Sequence, residues 1–140
     1  MINYNYETNF LLENEIGYTE WIESVVKSED KELNEINYIF CDDEYLLQIN
    51  KQYLDHDYYT DVISFDYTEE GLIAGDIFIS IDRVKENASS LGISFEEELK
   101  RVIIHGVLHY CGYKDKSSEE EKTMRLKEDE KIKMFHVKHD

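Results

Sequence analysis

The sequence has 140 residues, of which 41% are hydrophobic and 34% charged, and its formal net charge is −17. This balance excludes a disordered chain, and the length suffices for one domain with a substantial core, so we expect residues 1–140 to form a single domain. The sequence has no basic segment followed by an apolar run at its start and no apolar stretch long enough to cross a bilayer, which argues against a secreted or membrane protein and predicts a cytoplasmic location.

The first third of the chain predicts two strands, each followed by a helix. Residues Ile2–Tyr6 alternate apolar and polar side chains, as a half-buried strand does, and residues 35–41 repeat that pattern. Thr19 is the predicted N-cap of the first helix, and Asp42 or Asp43 caps the second, because these side chains accept hydrogen bonds from free backbone amides.

The middle of the chain predicts two adjacent strands and a helix. The segments VISFDY, residues 62–67, and GLIAGDIFIS, residues 71–80, are rich in β-branched and aromatic residues. Gly71 is placed in the turn between them and Gly75 at a β-bulge. Residues Ile81–Leu91 then form the third predicted helix.

A buried helix is predicted to begin at Ser94, which forms a capping box with Glu97. From residue 102 to residue 111 the sequence VIIHGVLHYC is apolar on every side, which is typical of a helix at the centre of a domain. Gly112 supplies the left-handed residue that ends this helix.

A last helix is predicted from about Ser118, with Ser118 and Glu121 as a second capping box. The order of elements is therefore β-α-β-α-β-β-α-α-α. It predicts an α+β fold in which a small mixed four-stranded sheet is covered by helices, with the buried helix at the centre.

His105 and His109 lie one turn apart on that central helix, so their rings can share one metal ion. Taken alone, the pair also fits two core histidines that are hydrogen-bonded within the protein. Gly112 and Asp115 favour the metal, because a chain that turns at the glycine can return a third ligand to the ion. Two ligands on a helix and one on a loop leave an open position for water or substrate, as a catalytic site requires.

The same spacing occurs in metzincin peptidases, whose motif carries a catalytic glutamate directly after the first histidine. Gly106 occupies that position here and cannot accept a proton, so peptide hydrolysis is disfavoured. Another metal-dependent hydrolase remains an alternative.

A divalent metal can also polarise a phosphoryl oxygen and lower the pKa of bound water, while RNA offers its own 2′-hydroxyl as nucleophile. The sequence does not decide between these nucleophiles and leaves the general base unassigned.

Three motifs resemble the YbeY family of endoribonucleases. The family signature H-G-x-L-H-x-x-G-Y-D-H is matched at six positions by His105, Gly106, Leu108, His109, Gly112 and Tyr113. Upstream, TDVISF at residues 60–65 matches the family's T-D-V-L-S-F, and GDI at residues 75–77 matches its G-D-I. Three motifs in the family's order make the resemblance specific.

The resemblance implies a fold around a small sheet, one catalytic divalent metal (usually zinc) and cleavage of single-stranded RNA during maturation of small-subunit ribosomal RNA. It makes a ribosomal RNA precursor the expected partner, together with proteins of the small ribosomal subunit. It also places Thr60, Asp61 and Ser64 beside the metal helix as candidate substrate-binding residues. Their alternative roles are structural, with Thr60 and Asp61 in a turn and Ser64 as a hydroxyl of the sheet.

The chain departs from the family pattern in two places, at the end of the signature, where Lys114 and Asp115 replace the family's aspartate and histidine, and at Leu54. Asp115 stands where the family has its third histidine, and this harder, anionic ligand lowers the net charge of the centre. Leu54 stands where the family has an arginine, so Lys51, His56 or a base of the C-terminal segment must take over any contact with phosphate. The missing arginine also favours the second alternative, a non-enzymatic RNA-binding protein of ribosome assembly.

The charges are distributed unevenly along the chain. Residues 1–115 contain 25 acidic and 8 basic residues, whereas residues 116–140 contain 7 of each. Since most of the surface repels phosphate, we expect RNA to approach past residues 51–61 and the basic end of the chain.

Overall fold

The computed structural model describes the backbone of residues 1–137 and the side chains of residues 1–135. The elements follow in the predicted order: β1 (Ile2–Tyr6), α1 (Glu15–Ser28), β2 (Glu32–Cys41), α2 (Asp43–Leu54), β3 (Val62–Asp66), β4 (Leu72–Ser80), α3 (Ile81–Leu91), α4 (Phe95–Tyr110) and α5 (Ser118–Val137). Among these described helices, none is both long and apolar enough to cross a membrane.

The four strands form one mixed sheet in the order β1-β2-β4-β3. β1, β2 and β4 run parallel, and β3 pairs antiparallel with β4 at one edge. The α+β fold with a mixed four-stranded sheet is therefore confirmed. The bulge predicted at Gly75 is wrong, because the only shift in register between β2 and β4 falls between Leu33 and Glu35. At Gly75 the ring of Tyr110 packs directly on the backbone, where a Cβ would overlap it.

The main core lies between one face of the sheet and helices α1 and α4. Alternate residues of β2 and β4, such as Tyr38 and Ile77, meet Trp21 of α1 and Ile103 of α4 there. A smaller cluster around Leu46 fills the opposite face, beneath α2. The prediction of a buried central helix is confirmed, since nine of the sixteen residues of α4 are buried.

The last helix begins at Ser118 as predicted, but two helices, α1 and α5, have other capping residues than the sequence patterns indicated. Asn14, not Thr19, caps α1, and its side chain accepts a hydrogen bond from Gly17 N at 3.1 Å. Gly17 disfavours a helix on propensity alone, which is why the start was predicted too late. At α5 the capping box is formed by Ser117 and Glu120, one residue earlier than predicted, because consecutive serines and glutamates fit either register.

Candidate metal centre

The two histidines of α4 and the aspartate after it bring three donor atoms together. His105 Nε2 and His109 Nε2 are 3.0 Å apart. Asp115 Oδ2 lies 3.2 Å from the first nitrogen and 3.3 Å from the second. Tetrahedral ligands at the usual 2.0–2.1 Å from zinc are about 3.3 Å from one another, so the triangle has the dimensions of three zinc ligands. We call His105, His109 and Asp115 the triad.

Asp115 reaches the histidines because the chain reverses at Gly112, where φ is 107°. Gly112 N donates to His109 O at 3.0 Å, and Tyr113 N donates to Leu108 O at 3.1 Å. These two bonds form a Schellman motif, which closes the helix and turns the chain back. The predicted ending of α4 at Gly112 is therefore confirmed, and it delivers Asp115 to the histidines of the same helix.

The other nitrogen of each imidazole is held by a hydrogen bond. His109 Nδ1 is 2.9 Å from Tyr113 O, and a carbonyl only accepts, so Nδ1 carries the proton and Nε2 keeps its lone pair. His105 Nδ1 is 2.6 Å from Oε2 of Glu128, a buried carboxylate on α5. Arg101 supports that carboxylate by donating from Nη1 to its Oε1 at 2.8 Å. Such outer hydrogen bonds orient histidines that ligate metals.

The donor set fits a divalent cation. With both Nδ1 atoms donating, the two Nε2 atoms and Asp115 Oδ2 face one another as three acceptors, which is unfavourable unless a cation or a proton lies between them. Burial lowers the pKa of His105, but the hydrogen bond to Glu128 and the charges of Glu128, Asp115 and Asp61 outweigh it, so the pKa is raised. A proton and a metal ion therefore compete for the same place.

Three cavities surround the triad, and Asp115 lines all of them. The first, of about 460 Å³, contains the acidic side chains of Asp61 and Glu98 and is called the acidic cavity. The second, of about 660 Å³, is lined by Lys122 and Arg125 of α5, and the third is lined by Lys114 and Lys116. Each cavity has a mixed lining, with carboxylates in excess over the two arginines Arg101 and Arg125 in the first, and lysines beside glutamates in the other two.

Of the four predicted substrate-binding residues, only Asp61 lines the acidic cavity. Burial raises its pKa, and Asn87 Nδ2 donates to its Oδ2 at 3.3 Å. Ser64 is exposed on β3, and Thr60 is half-buried just before Asp61. Lys51 pairs with the exposed Asp57 at 3.5 Å. The binding roles of these residues stay predictions.

Several residues around the triad were not anticipated from the sequence. Arg101 precedes His105 by four residues on the same face of α4, so helical spacing could have placed it beside the histidines. Glu128 gives no such signal, because it follows His105 by 23 residues on another helix. Glu98 and Arg125 also line the acidic cavity.

Fold and site together define a small α+β protein with a candidate three-ligand metal site beside an open cavity. The family model described as "Endoribonuclease YbeY" matches residues 3–136, and the chain belongs to this family.

Relatives of nearly equal length carry the same description. A protein from Flavobacterium johnsoniae named Endoribonuclease YbeY is 63% identical over 137 residues, covering 98% of this chain and 99% of its own. One of the same name from Flavobacterium psychrophilum is 64% identical over 138 residues, covering 99% of each. A solution structure of a Thermotoga maritima protein is 27% identical with a TM-score of 0.71, and covers 99% of this chain and 91% of that one. The fold predicted from the sequence is thus found in a solved structure.

Proposed function

We propose that this chain is a metal-dependent endoribonuclease that cleaves single-stranded RNA, with one divalent ion, zinc by expectation, held by His105, His109 and Asp115. The observation that carries the proposal is the triangle of donor atoms with sides of 3.0, 3.2 and 3.3 Å. Relatives named Endoribonuclease YbeY, at 63% and 64% identity, support RNA as the substrate.

When bound, the ion would polarise a phosphodiester oxygen as a Lewis acid and acidify water beside it. The chain itself supplies the orientation, since Glu128 and the Tyr113 carbonyl fix the two imidazoles. Attack by water and attack by the 2′-hydroxyl both remain compatible with this arrangement.

Arg125 and Lys122 are our candidates for the phosphate contact that Leu54 cannot make. The side chain of Arg125 is 61% exposed, and its ion pair with Glu128 is a long one of 3.5 Å to an oxygen already bonded to Arg101. Its remaining donors have no ion-pair partner within residues 1–135 and are available to phosphate. Lys122 makes no ion pair with any residue from 1 to 135, whereas Lys51 already pairs with Asp57.

The position that carries glutamate in metzincins packs against the sheet here. A Cβ on Gly106 would lie 2.7 Å from Ile77 Cδ1, so a side chain at this position would meet β4. This contact disfavours the peptidase alternative on packing grounds as well as on chemistry.

The proposed setting is the cytoplasm, where residues 1–140 act as one domain on a precursor of small-subunit ribosomal RNA with proteins of the small subunit as partners. Family resemblance supports this setting, and so do residues 116–140, in which 7 bases balance 7 acids and which therefore repel RNA less than the acidic remainder of the chain.

A metal analysis combined with a cleavage assay tests the proposal. The purified protein should hold close to one ion, and Asp115→Ala should hold much less, while the control Asp57→Ala, an exposed aspartate, should match the wild type. Equal metal in all three proteins would show that Asp115 is the wrong third ligand.

The assay should offer single-stranded RNA, duplex RNA and casein side by side, with and without a chelator. We expect cleavage of the single strand alone, lost on chelation and in His109→Ala. Cleavage of casein alone would favour the peptidase, and RNA binding without any turnover would favour the non-enzymatic alternative.

A further inference from the structure

Glu98 is a buried carboxylate that the proposed metal chemistry does not use. Glu98 is 5% exposed, and its Oε1 has no hydrogen-bond partner among the described residues. Burial is the main cause that raises the pKa of Glu98, and the charge of Asp61 adds to it. A buried acceptor without a donor is rare in a native fold and calls for an explanation. Because Glu98 lines a cavity, a bound ligand that donates hydrogen bonds to it would explain the missing partner.

Glu98 lines the same cavity as two residues of the triad, His105 and Asp115. Glu98 precedes His105 by seven residues on α4, so both side chains lie on one face of the helix. The volume of about 460 Å³ falls within the roughly 300–1,000 Å³ of sites that hold small ligands. A group bound against Glu98 would therefore lie beside the reacting phosphodiester.

The walls of the acidic cavity indicate which part of an RNA strand would enter it. Four carboxylates line the acidic cavity against two guanidinium groups, so its wall repels phosphate on balance; the carboxylates are Asp61, Glu98, Asp115 and Glu128, and the guanidinium groups are Arg101 and Arg125. Lys122 and the second face of Arg125 attract phosphate to the neighbouring cavity instead. Val62 and Leu91 supply apolar surface for the flat face of a ring. A nucleobase has such a face together with an edge of hydrogen-bond donors, and unpaired bases are the parts of RNA that proteins read in sequence-specific recognition.

We propose that the acidic cavity reads the unpaired base next to the cleaved bond, and that Glu98 selects guanine there. Guanine presents two adjacent donors, N1–H and the N2 amino group, which one carboxylate accepts as a bidentate pair. Adenine and cytosine present an amino group beside a ring nitrogen that only accepts, and uracil presents one N–H between two carbonyls. Those three bases would place an acceptor against the carboxylate, which is repulsive. This inference rests on the proposed function, because it assumes that the ligand is RNA.

Binding of mononucleotides to the full chain tests the selection without requiring turnover. Guanosine and inosine monophosphates share the phosphate, the sugar and the N1–H, and they differ only in the N2 amino group. We expect guanosine monophosphate to bind at least about fivefold more tightly than inosine monophosphate, and also more tightly than the adenosine and uridine forms, by titration calorimetry.

Glu98→Gln should remove that preference, whereas Glu96→Gln, an exposed neighbour on the same turn, should keep it. Thermal melting shows whether each variant is folded, and the comparison of nucleotides on the wild type needs no variant at all. Equal affinity for guanosine and inosine monophosphates, or a preference that survives in a folded Glu98→Gln, would overturn the inference.

Cleavage of an oligouridine strand with one guanine or one inosine separates the inference from the function on which it rests. Faster cleavage beside guanine supports both. Equal cleavage of the two strands overturns the selection by Glu98 and leaves the nuclease intact. Preference for the guanine nucleotide in binding, without cleavage of either strand, would overturn the nuclease and retain the pocket as a guanine-binding site.

Discussion

The two histidines of the triad present equivalent nitrogens but are held in different ways. His109 Nδ1 donates to the carbonyl of Tyr113, four residues further along the chain, within the turn that also delivers Asp115. His105 Nδ1 pairs with Glu128, a charged side chain that another helix brings to it from 23 residues away. One imidazole is thus oriented by local backbone, and the other depends on the packing of α5 against α4.

The largest effect on metal affinity should follow from removing one of the two histidine nitrogens proposed to bind the metal. His105→Ala and His109→Ala should each weaken metal affinity by more than about 100-fold, beyond the effect of losing an orienting partner. The two losses should be similar, because each variant removes one corner of the same triangle. Competition with a chromophoric chelator measures the affinity, and His56→Ala is the control, since His56 bonds to Tyr58 outside the site. Wild-type affinity in either triad variant would remove that histidine from the ligand set.

The second largest effect on metal affinity should come from removing the charge of Glu128, which orients His105 but not His109. Glu128→Gln should lower metal affinity by about 10–100-fold, because a neutral amide orients His105 and raises its basicity less than a carboxylate does. Asp129→Asn is the matched control. Asp129 lies next to Glu128 on α5 and also accepts a hydrogen bond from Arg101, but it does not contact the triad. If both variants bound metal equally well, the carboxylate would have no role in orienting His105.

The raised pKa of His105 predicts a pH dependence for the metal-free protein. Protonation stabilises the folded state fully below the ordinary histidine pKa of 6.5, and this stabilisation is lost as the pH rises through the higher pKa of the folded state. Metal should reverse the trend, because it binds the deprotonated imidazole and stabilises the fold increasingly with pH. Thermal melting of both forms across this range measures the effect, and Glu128→Gln should flatten the metal-free curve. A metal-free protein that gained stability over the same range in wild type but not in His105→Ala would contradict the sign.

The smallest effect on metal affinity should come from changing the side chain of Tyr113, whose backbone carbonyl holds His109. Tyr113→Phe removes a hydroxyl that donates to Glu29 Oε1 at 2.8 Å, which should cost about 1 kcal/mol of stability. Metal affinity should change much less than in Glu128→Gln, because the carbonyl that holds His109 belongs to the backbone and survives the substitution. A loss of affinity as large as that of Glu128→Gln would show that the turn depends on the Tyr113 side chain.

The elements and two of the helix caps followed from local patterns. Asp42 and Ser94 cap α2 and α4 as predicted, since each side chain accepts from the amide three residues later. Local rules failed where two registers were equally good, as at Ser117 and Ser118. They also failed at Asn14, where a left-handed backbone with φ of 63° starts a helix before a glycine.

Local patterns likewise predicted one part of the candidate site and missed the other. The triad could be predicted because helical spacing and one glycine fix the distances within a short segment. Glu128 could not, since its position depends on how α5 packs on α4, which no periodicity in the sequence specifies. That Glu98 Oε1 has no hydrogen-bond partner among residues 1–135 is likewise a property of the packed structure and not of any motif.

The long separation between His105 and Glu128 has a consequence for biosynthesis. Chains grow from the N-terminus, so both histidines and Asp115 are polymerised before the carboxylate that orients the first of them. A nascent polypeptide that ends before α5 has all three donor atoms but lacks the ordered cradle for the ion. We therefore expect the candidate metal site to be complete, and RNA cleavage to begin, only after α5 has been synthesised and has packed against α4.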